Sequence, residues 1–247
     1  MRNFLVPITI AAGLSQVTGC IIEDNGVPVD EAASITATWQ FKNEATQQLT
    51  GCPSGFNTVA MHNLQLDRNG DPIAGSDVID LFDCIDGAGI SDPLFPDVYQ
   101  TFLEVTDDSG NNRYAQTLSA IVDVVVTDKQ FDATILNDGG YFSFSWDLVG
   151  ATTNKTLACA DVPNLDGVES ISTQMTTGAS AIVDQFNCED HFAVTGGLLQ
   201  GSYTVSVSAF DTSGEALGTA MLDGAQAIKD RNQVTALDSI SIPINGL

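Results

Sequence analysis

The chain reads as an all-β protein in which two tandem, disulfide-bonded β-sandwich domains follow a cleaved N-terminal segment. Three observations predict this. Short stretches alternate apolar and polar residues, and clusters of Gly, Asp, Asn and Pro separate them, as in half-buried strands joined by turns. The pattern occurs twice at matching spacings, the mark of an internal repeat. Four cysteines take corresponding places in the two copies.

The spacings carry the repeat. Trp39 to Cys52 is 13 positions, as is Trp146 to Cys159. Cys84 to Tyr99 is 15 positions, as is Cys188 to Tyr203. Eight residues after each tyrosine stands Asp-x-Ser-Gly: Asp107-Asp108-Ser109-Gly110 and Asp211-Thr212-Ser213-Gly214. Only the distance between the cysteines changes, 32 positions against 29, which places the length difference in one loop region. The domains are expected at 34–136 and 139–247, with Asp138-Gly139-Gly140 as a hinge. Four cysteines allow three pairings. Two like domains with two cysteines each favour Cys52–Cys84 and Cys159–Cys188, and each bridge contributes about 3–4 kcal/mol in the chain-entropy treatment.

In chain order, Met1-Arg2-Asn3 is followed by an apolar run, Phe4–Leu14, too short to span a bilayer as a helix and interrupted by Pro7. The run closes on Val17-Thr18-Gly19-Cys20. Charge, apolar stretch and box arrive in the order of a signal sequence, and the four-residue box resembles the lipobox of bacterial lipoproteins. The resemblance covers the first twenty residues. It implies a signal peptide over 1–19, cleavage before Cys20, and acyl chains, palmitate among them, on Cys20. It also resolves the cysteine count: five is odd, and lipidation of Cys20 leaves four to pair. Ile21 rather than Asp after Cys20 implies, by the same analogy, an outer-membrane destination. Residues 20–33 form an acidic tether with an r.m.s. span of about 20 Å.

The first domain opens with Ile35, Ala37, Trp39 and Phe41 alternating with polar residues. Thr58–Leu66 is a strand, Asp67-Arg68-Asn69-Gly70-Asp71-Pro72 a turn, and Val78–Asp83 a strand leading into Cys84. Ile85–Pro96 is expected as loop. Val98–Val105, Ile121–Val126 and Phe131–Leu136 complete the domain. In the second, Tyr141–Leu148 carries Trp146, turn residues Pro163, Asn164, Asp166 and Gly167 follow Cys159, and Ala181–Phe186 leads into Cys188. Ser202–Phe210 is the cleanest alternation. Ala216–Ala227 is expected as strand and loop, and Val234–Ile244 closes the domain. Gly201-Ser202-Tyr203-Thr204-Val205 before Asp-x-Ser-Gly resembles the strand and hairpin of bacterial immunoglobulin-like and transthyretin-like sandwich modules. Tryptophan here precedes both cysteines, so the resemblance does not imply a central inter-sheet bridge.

Acidic residues outnumber basic ones 32 to 8, for a formal charge of −24. Such a surface repels nucleic acid and anionic membrane faces. It leaves solubility, weak calcium sites and a salty habitat as alternatives. His62 and His191 lie in no nucleophile motif, and no Gly-x-Ser-x-Gly, His-Glu-x-x-His or phosphate loop occurs. Cys188-Glu189-Asp190-His191 has metal-ligand residue types, but a disulfide at Cys188 removes the thiolate. Asp67-Arg68-Asn69-Gly70-Asp71 begins like a calcium loop but has Pro72 and Val78 at the places that need Gly and Glu, so a turn is expected. Trp39 and Trp146 are expected in the core. No metal, cofactor, catalytic residue or nucleic-acid partner is expected. The expected work is that of a non-catalytic, lipid-anchored envelope protein engaged in binding, adhesion or envelope structure through an unidentified protein or glycan ligand. The alternative is an accessory or spacer subunit of a larger envelope complex.

Overall fold

The computed structural model describes residues 32–125 and 127–247. The segment 1–19, the lipobox, Cys20 and the tether through residue 31 lie outside the described residues.

The first half is built from β1 (Ile35–Asn43), β2 (Gln48–Thr50), β3 (Thr58–Gln65), β4 (Val78–Asp83), β5 (Ala88–Ile90), β6 (Val98–Thr106), β7 (Arg113–Gln116), β8 (Ala120–Asp123) and β9 (Lys129–Leu136). The second contains β10 (Gly139–Gly150), β11 (Thr156–Leu157), β12 (Leu165–Gln174), β13 (Ala181–Phe186), β14 (Phe192–Val194), β15 (Leu198–Leu199), β16 (Gly201–Asp211), β17 (Ala216–Met221), β18 (Gln226–Ile228) and β19 (Gln233–Ile244). The protein is all-β, a pair of tandem disulfide-bonded sandwiches.

Each sandwich has the same plan. In the first, β1 pairs in parallel with β9 along one edge and antiparallel with β2 and β5 along the other. The facing sheet runs β4-β3-β6, with β7 and β8 sharing the far edge of β6. In the second, β10 takes the place of β1, with β19 parallel and β11, β14 and β15 antiparallel. Its facing sheet runs β13-β12-β16, with β17 and β18 beyond.

Alternation explains these strands. Ile35, Ala37, Trp39 and Phe41 are all buried, while the residues between them are at least partly exposed. Tyr203, Val205, Val207 and Ala209 turn inward from β16 in the same way. Each buried large apolar side chain contributes about 1.5–3 kcal/mol. The inward faces form two separate cores, one centred on Trp39, Met61 and Leu103, the other on Trp146, Leu148 and Val207.

The likeness of the halves reaches single hydrogen bonds. The Ser91 hydroxyl accepts the buried Ile35 N–H at 3.0 Å, and the Thr195 hydroxyl accepts that of Phe142 at 3.0 Å. Tyr99 donates to the Phe95 carbonyl at 2.9 Å, and Tyr203 to the Leu199 carbonyl at 2.7 Å. Each phenol thus reaches back four residues and pins the chain entering its strand.

Several sequence expectations need correction. The Ile85–Pro96 loop contains β5, which the Gly and Asp content disguises. β7 went unread because Arg-Tyr-Ala-Gln carries almost no apolar alternation. Of the turn expected after Cys159, Asp166 and Gly167 instead lie inside β12, where Gly167 pairs with Phe210, and the strand went unread because its buried positions after Val168 are Ser170 and Ser172. Ala216–Ala227 is strand and loop, as expected. The length difference between the copies falls in two places. Gln65 and Gln174 hold the same register opposite Tyr99 and Tyr203. From there the second copy reaches its next cysteine in 14 positions against 19, while its approach from Cys159 takes 15 against 13 from Cys52. Ala33, assigned by sequence to the tether, is buried and pairs with Leu94 through two backbone hydrogen bonds of 2.8 and 3.3 Å. Gly140 pairs with Leu198 at the equivalent place.

Candidate functional site

Each disulfide forms a cluster with its tryptophan, joined in the second copy by His191, and the residues joining the two sandwiches form another. Cys52 bonds to Cys84 with Cα atoms 6.1 Å apart, and Cys159 to Cys188 at 6.0 Å. Each bridge ties the segment leaving one sheet to a single 3₁₀ turn at the end of a strand of the other, Cys84–Asp86 or Cys188–Asp190. Both turns end in a left-handed residue, Gly87 at φ +65° and His191 at φ +52°. The carbonyl of that residue accepts the tryptophan backbone N–H, at 2.9 Å for Trp39 and 3.2 Å for Trp146. The rings are 5% and 1% exposed, so both serve the core rather than a flat carbohydrate-stacking surface. They differ in one bond. The Trp39 indole donates to the Cys84 carbonyl at 2.8 Å, whereas the buried Trp146 indole has no partner among the described residues.

His62 lies on β3 with Nδ1 2.9 Å from Asp77 and Nε2 3.6 Å from Glu104. Arg113 holds Glu104 at 2.6 Å, and the imidazole stacks on Phe102 with centroids 4.7 Å apart. The carboxylates and the ring orient this imidazole, but among the described residues no hydroxyl or thiol is one of its hydrogen-bond or ion-pair partners. His191 stands beside Glu189 and Cys159, with ligand atoms all within 4.8 Å of one another. The sequence grouped His191 with Cys188; the fold adds Cys159, and the disulfide occupies both sulfurs.

The acidic turns close on themselves. Asp67 accepts the backbone N–H groups of Asn69 at 2.8 Å and Asp71 at 3.0 Å. Asp211 does the same for Ser213 and Glu215, both at 2.9 Å. Asp107 accepts from Ser109, Asn111 and Asn112. These donors favour the ionised form. Backbone bonds from Asp71 and Asn69 lower the pKa of Asp67, and the Ser213 hydroxyl leads in lowering that of Asp211. The Asn112 amide, then Ser109, brings that of Asp107 down to about 2. The loop at Asp67 is therefore a turn with its carboxylate spent on its own backbone, the arrangement expected from its sequence.

Between the sandwiches the structure departs from expectation. Asp138-Gly139-Gly140 is not a hinge. Gly139 and Gly140 are buried and begin β10. A Cβ on Gly139 would lie 2.3 Å from the Leu198 carbonyl oxygen, and one on Gly140 2.2 Å from that of Gln233, so only glycine fits the close approach of these strands. Asp138 accepts the N–H groups of Glu44 and Ala45. Asn232, 2% exposed and left-handed at φ +61°, reaches from the second half into the first. Its side-chain oxygen accepts the Leu136 N–H at 2.8 Å, its amide donates to the Gln116 carbonyl at 2.9 Å, and its own N–H donates to Gly139 at 2.9 Å. Arg231 lies 5.3 Å from the Tyr114 ring centre, and the Tyr114 hydroxyl donates to Asn137 at 3.0 Å. Burial raises the Tyr114 pKa, and it drives that of Tyr141 up to about 12 with help from Glu44. A cleft of about 490 Å³ opens here, lined by Arg113, Tyr114, Gln116, Arg231, Asn232 and Val234. The signal for this junction in the chain is Asp230-Arg231-Asn232, a polar break between two strands that ends in a residue tolerant of the left-handed region.

No protein-family model matches the chain, and no curated protein matches it in sequence. Solved structures do resemble it. GBS52, the minor pilin of the gram-positive pathogen Streptococcus agalactiae, is 12% identical over 87% of this chain and 98% of that one, with a TM-score of 0.32. The fimbrial anchor protein Mfa2 from Porphyromonas gingivalis is 10% identical over 77% of this chain and 82% of its own, with a TM-score of 0.29. A leucine-rich repeat protein from Bacteroides thetaiotaomicron is 14% identical with a TM-score of 0.37; the match takes in 87% of this chain but spans only 26% of that protein.

Proposed function

We propose that this is a non-catalytic envelope protein, anchored in a membrane through lipid on Cys20, whose two sandwiches act as one stiff unit in binding, adhesion or envelope structure. The observation that carries the reading is the junction. Asn232, Asp138 and the close-packed Gly139 and Gly140 join the modules where a flexible linker would leave them independent. A stiff tandem unit on a short acidic tether keeps its binding surface within a limited reach of the membrane. Among the described residues no helix is long and apolar enough to cross a membrane, so in this reading attachment rests on the acyl chains. One chain binds only marginally, and several give lasting attachment. Membrane fractionation of cells producing Cys20→Ala tests the anchor. The variant is expected in the soluble fraction, and continued tight membrane association overturns the anchor. A pull-down with the unacylated protein against glycans and envelope proteins tests the binding role.

A specific observation favours a second reading, an accessory subunit of a larger complex. The first module exposes Leu81 at 68%, Ile85 at 87%, Ile90 at 64% and Phe95 at 84%. Exposed large apolar side chains of this kind suit a protein neighbour. Co-purification of a stoichiometric partner, lost on Leu81→Ser with Ile85→Ser, would select this reading.

A further inference from the structure

We propose that the second sandwich carries a zinc site that forms when its disulfide is reduced, with Cys159, Cys188, Glu189 and His191 as ligands. Three observations lead there. The Cys159 sulfur, a Glu189 carboxylate oxygen and a His191 ring nitrogen already lie within 4.8 Å of one another, and Cys188 supplies the second sulfur through its bond to Cys159. Two thiolates, an imidazole and a carboxylate make a four-ligand set suited to tetrahedral Zn²⁺. The imidazole is also oriented for the task. Its Nδ1 faces the Trp146 carbonyl oxygen at 3.4 Å, the kind of contact by which a ligating histidine is fixed through its other nitrogen. Finally, His191 occupies a left-handed position where the first copy has Gly87. A β-carbon disfavours that backbone conformation, and the Gly87 turn shows that the fold does not need it.

The first sandwich is the built-in control. Around Cys52–Cys84 the residues matching Glu189 and His191 are Ile85 and Gly87, neither of which binds metal. The chemistry balances simply. A dithiol reductant gives up two electrons and two protons to the Cys159–Cys188 bond, yielding two thiols and the oxidised dithiol. Zn²⁺ then displaces both thiol protons as the two Zn–S bonds form. The sulfurs move apart to roughly 3.7 Å, set by Zn–S distances of about 2.3 Å, while Glu189 and His191, both exposed, close in.

The test uses the full chain carrying Cys20→Ala, so that no fifth thiol competes. After dithiol reduction, zinc is added and unbound metal removed, and metal content is measured alongside near-ultraviolet circular dichroism. Cobalt is added in a parallel sample to report ligand type from its visible spectrum. One zinc per reduced chain is expected, none per oxidised chain, and a tetrahedral thiolate–cobalt spectrum. His191→Gly, which installs the first copy's residue without touching the cysteines, should weaken binding at least about tenfold, whereas Cys52→Ala with Cys84→Ala should leave it intact. The proposal is overturned if reduced protein takes up no zinc, if two equivalents bind alike, or if His191→Gly changes nothing. It also fails if reduced chain stays unfolded with zinc present, since metal binding at a real site drives folding.

Discussion

Replacing Asn232 with Ala removes the side chain that joins the two sandwiches, and the structure sets the size of the effect. Leu136 is 2% exposed, and its N–H at the end of β9 has the Asn232 oxygen as its partner at 2.8 Å. Without it a buried donor is left unpaired, at a cost of about 1–3 kcal/mol. The backbone adds a second part. Residue 232 sits at φ +61°, which asparagine tolerates and alanine resists by roughly 1–2 kcal/mol. Asn232→Ala should therefore lose about 2–5 kcal/mol. Asn232→Gly, which relieves the dihedral but not the lost bonds, should fall short of that loss by about 1 kcal/mol or more. Urea unfolding measures both, and amide hydrogen exchange locates the damage. The Leu136 amide should lose protection in both variants while amides in the middle of β16 keep theirs. An Asn232→Ala protein within about 0.5 kcal/mol of wild type, with the Leu136 amide still protected, would refute the argument that this residue welds the modules.

The remaining predictions concern the modules. Trp39→Phe should destabilise more than Trp146→Phe by about 1 kcal/mol, because only Trp39 spends its indole N–H on a carbonyl, that of Cys84; equal losses in thermal unfolding would count against the assignment. Tyr99→Phe and Tyr203→Phe should each cost about 1 kcal/mol through the lost bonds to Phe95 and Leu199, read from denaturant midpoints, and no loss in either would mean the phenols do not anchor these strands. Asp107 has a depressed pKa, so its contribution to stability is present above the unfolded value near 4 and fades as pH falls toward about 2. The melting temperature should drop over that window and drop less in Asp107→Asn, and a carboxyl resonance of Asp107 titrating near 4 would contradict the cause assigned to it.

Strand periodicity and the spacing of Trp39, Cys52, Cys84 and Tyr99 against Trp146, Cys159, Cys188 and Tyr203 made the all-β class and the repeat legible. Those signals are local or linear: a strand declares itself in its own alternation, and a repeat in the sequence order of rare residues. Metal-ligand types at 188–191 were legible too, but Cys159, 32 positions upstream of His191, joins them only through the fold. Short strands such as β5 and β7 were lost to reading because a neighbour's backbone holds them rather than their own apolar face, and the long β12, central between β13 and β16, was lost because its inward face carries Ser170 and Ser172 after Val168 and its start looks like a turn.

The sequence by itself determined what each half is, because burying one face of every strand is dictated by residues two apart. How the halves meet was decided only in three dimensions. Asn232 finds the Leu136 amide 96 residues away, and Gly139 and Gly140, which look like a swivel in the chain, prove to be the one residue type small enough to let strands carrying Leu198 and Gln233 press against them. Glycine in a sequence signals freedom and close packing alike, and the difference lies in whether distant backbone fills the space a side chain would have taken.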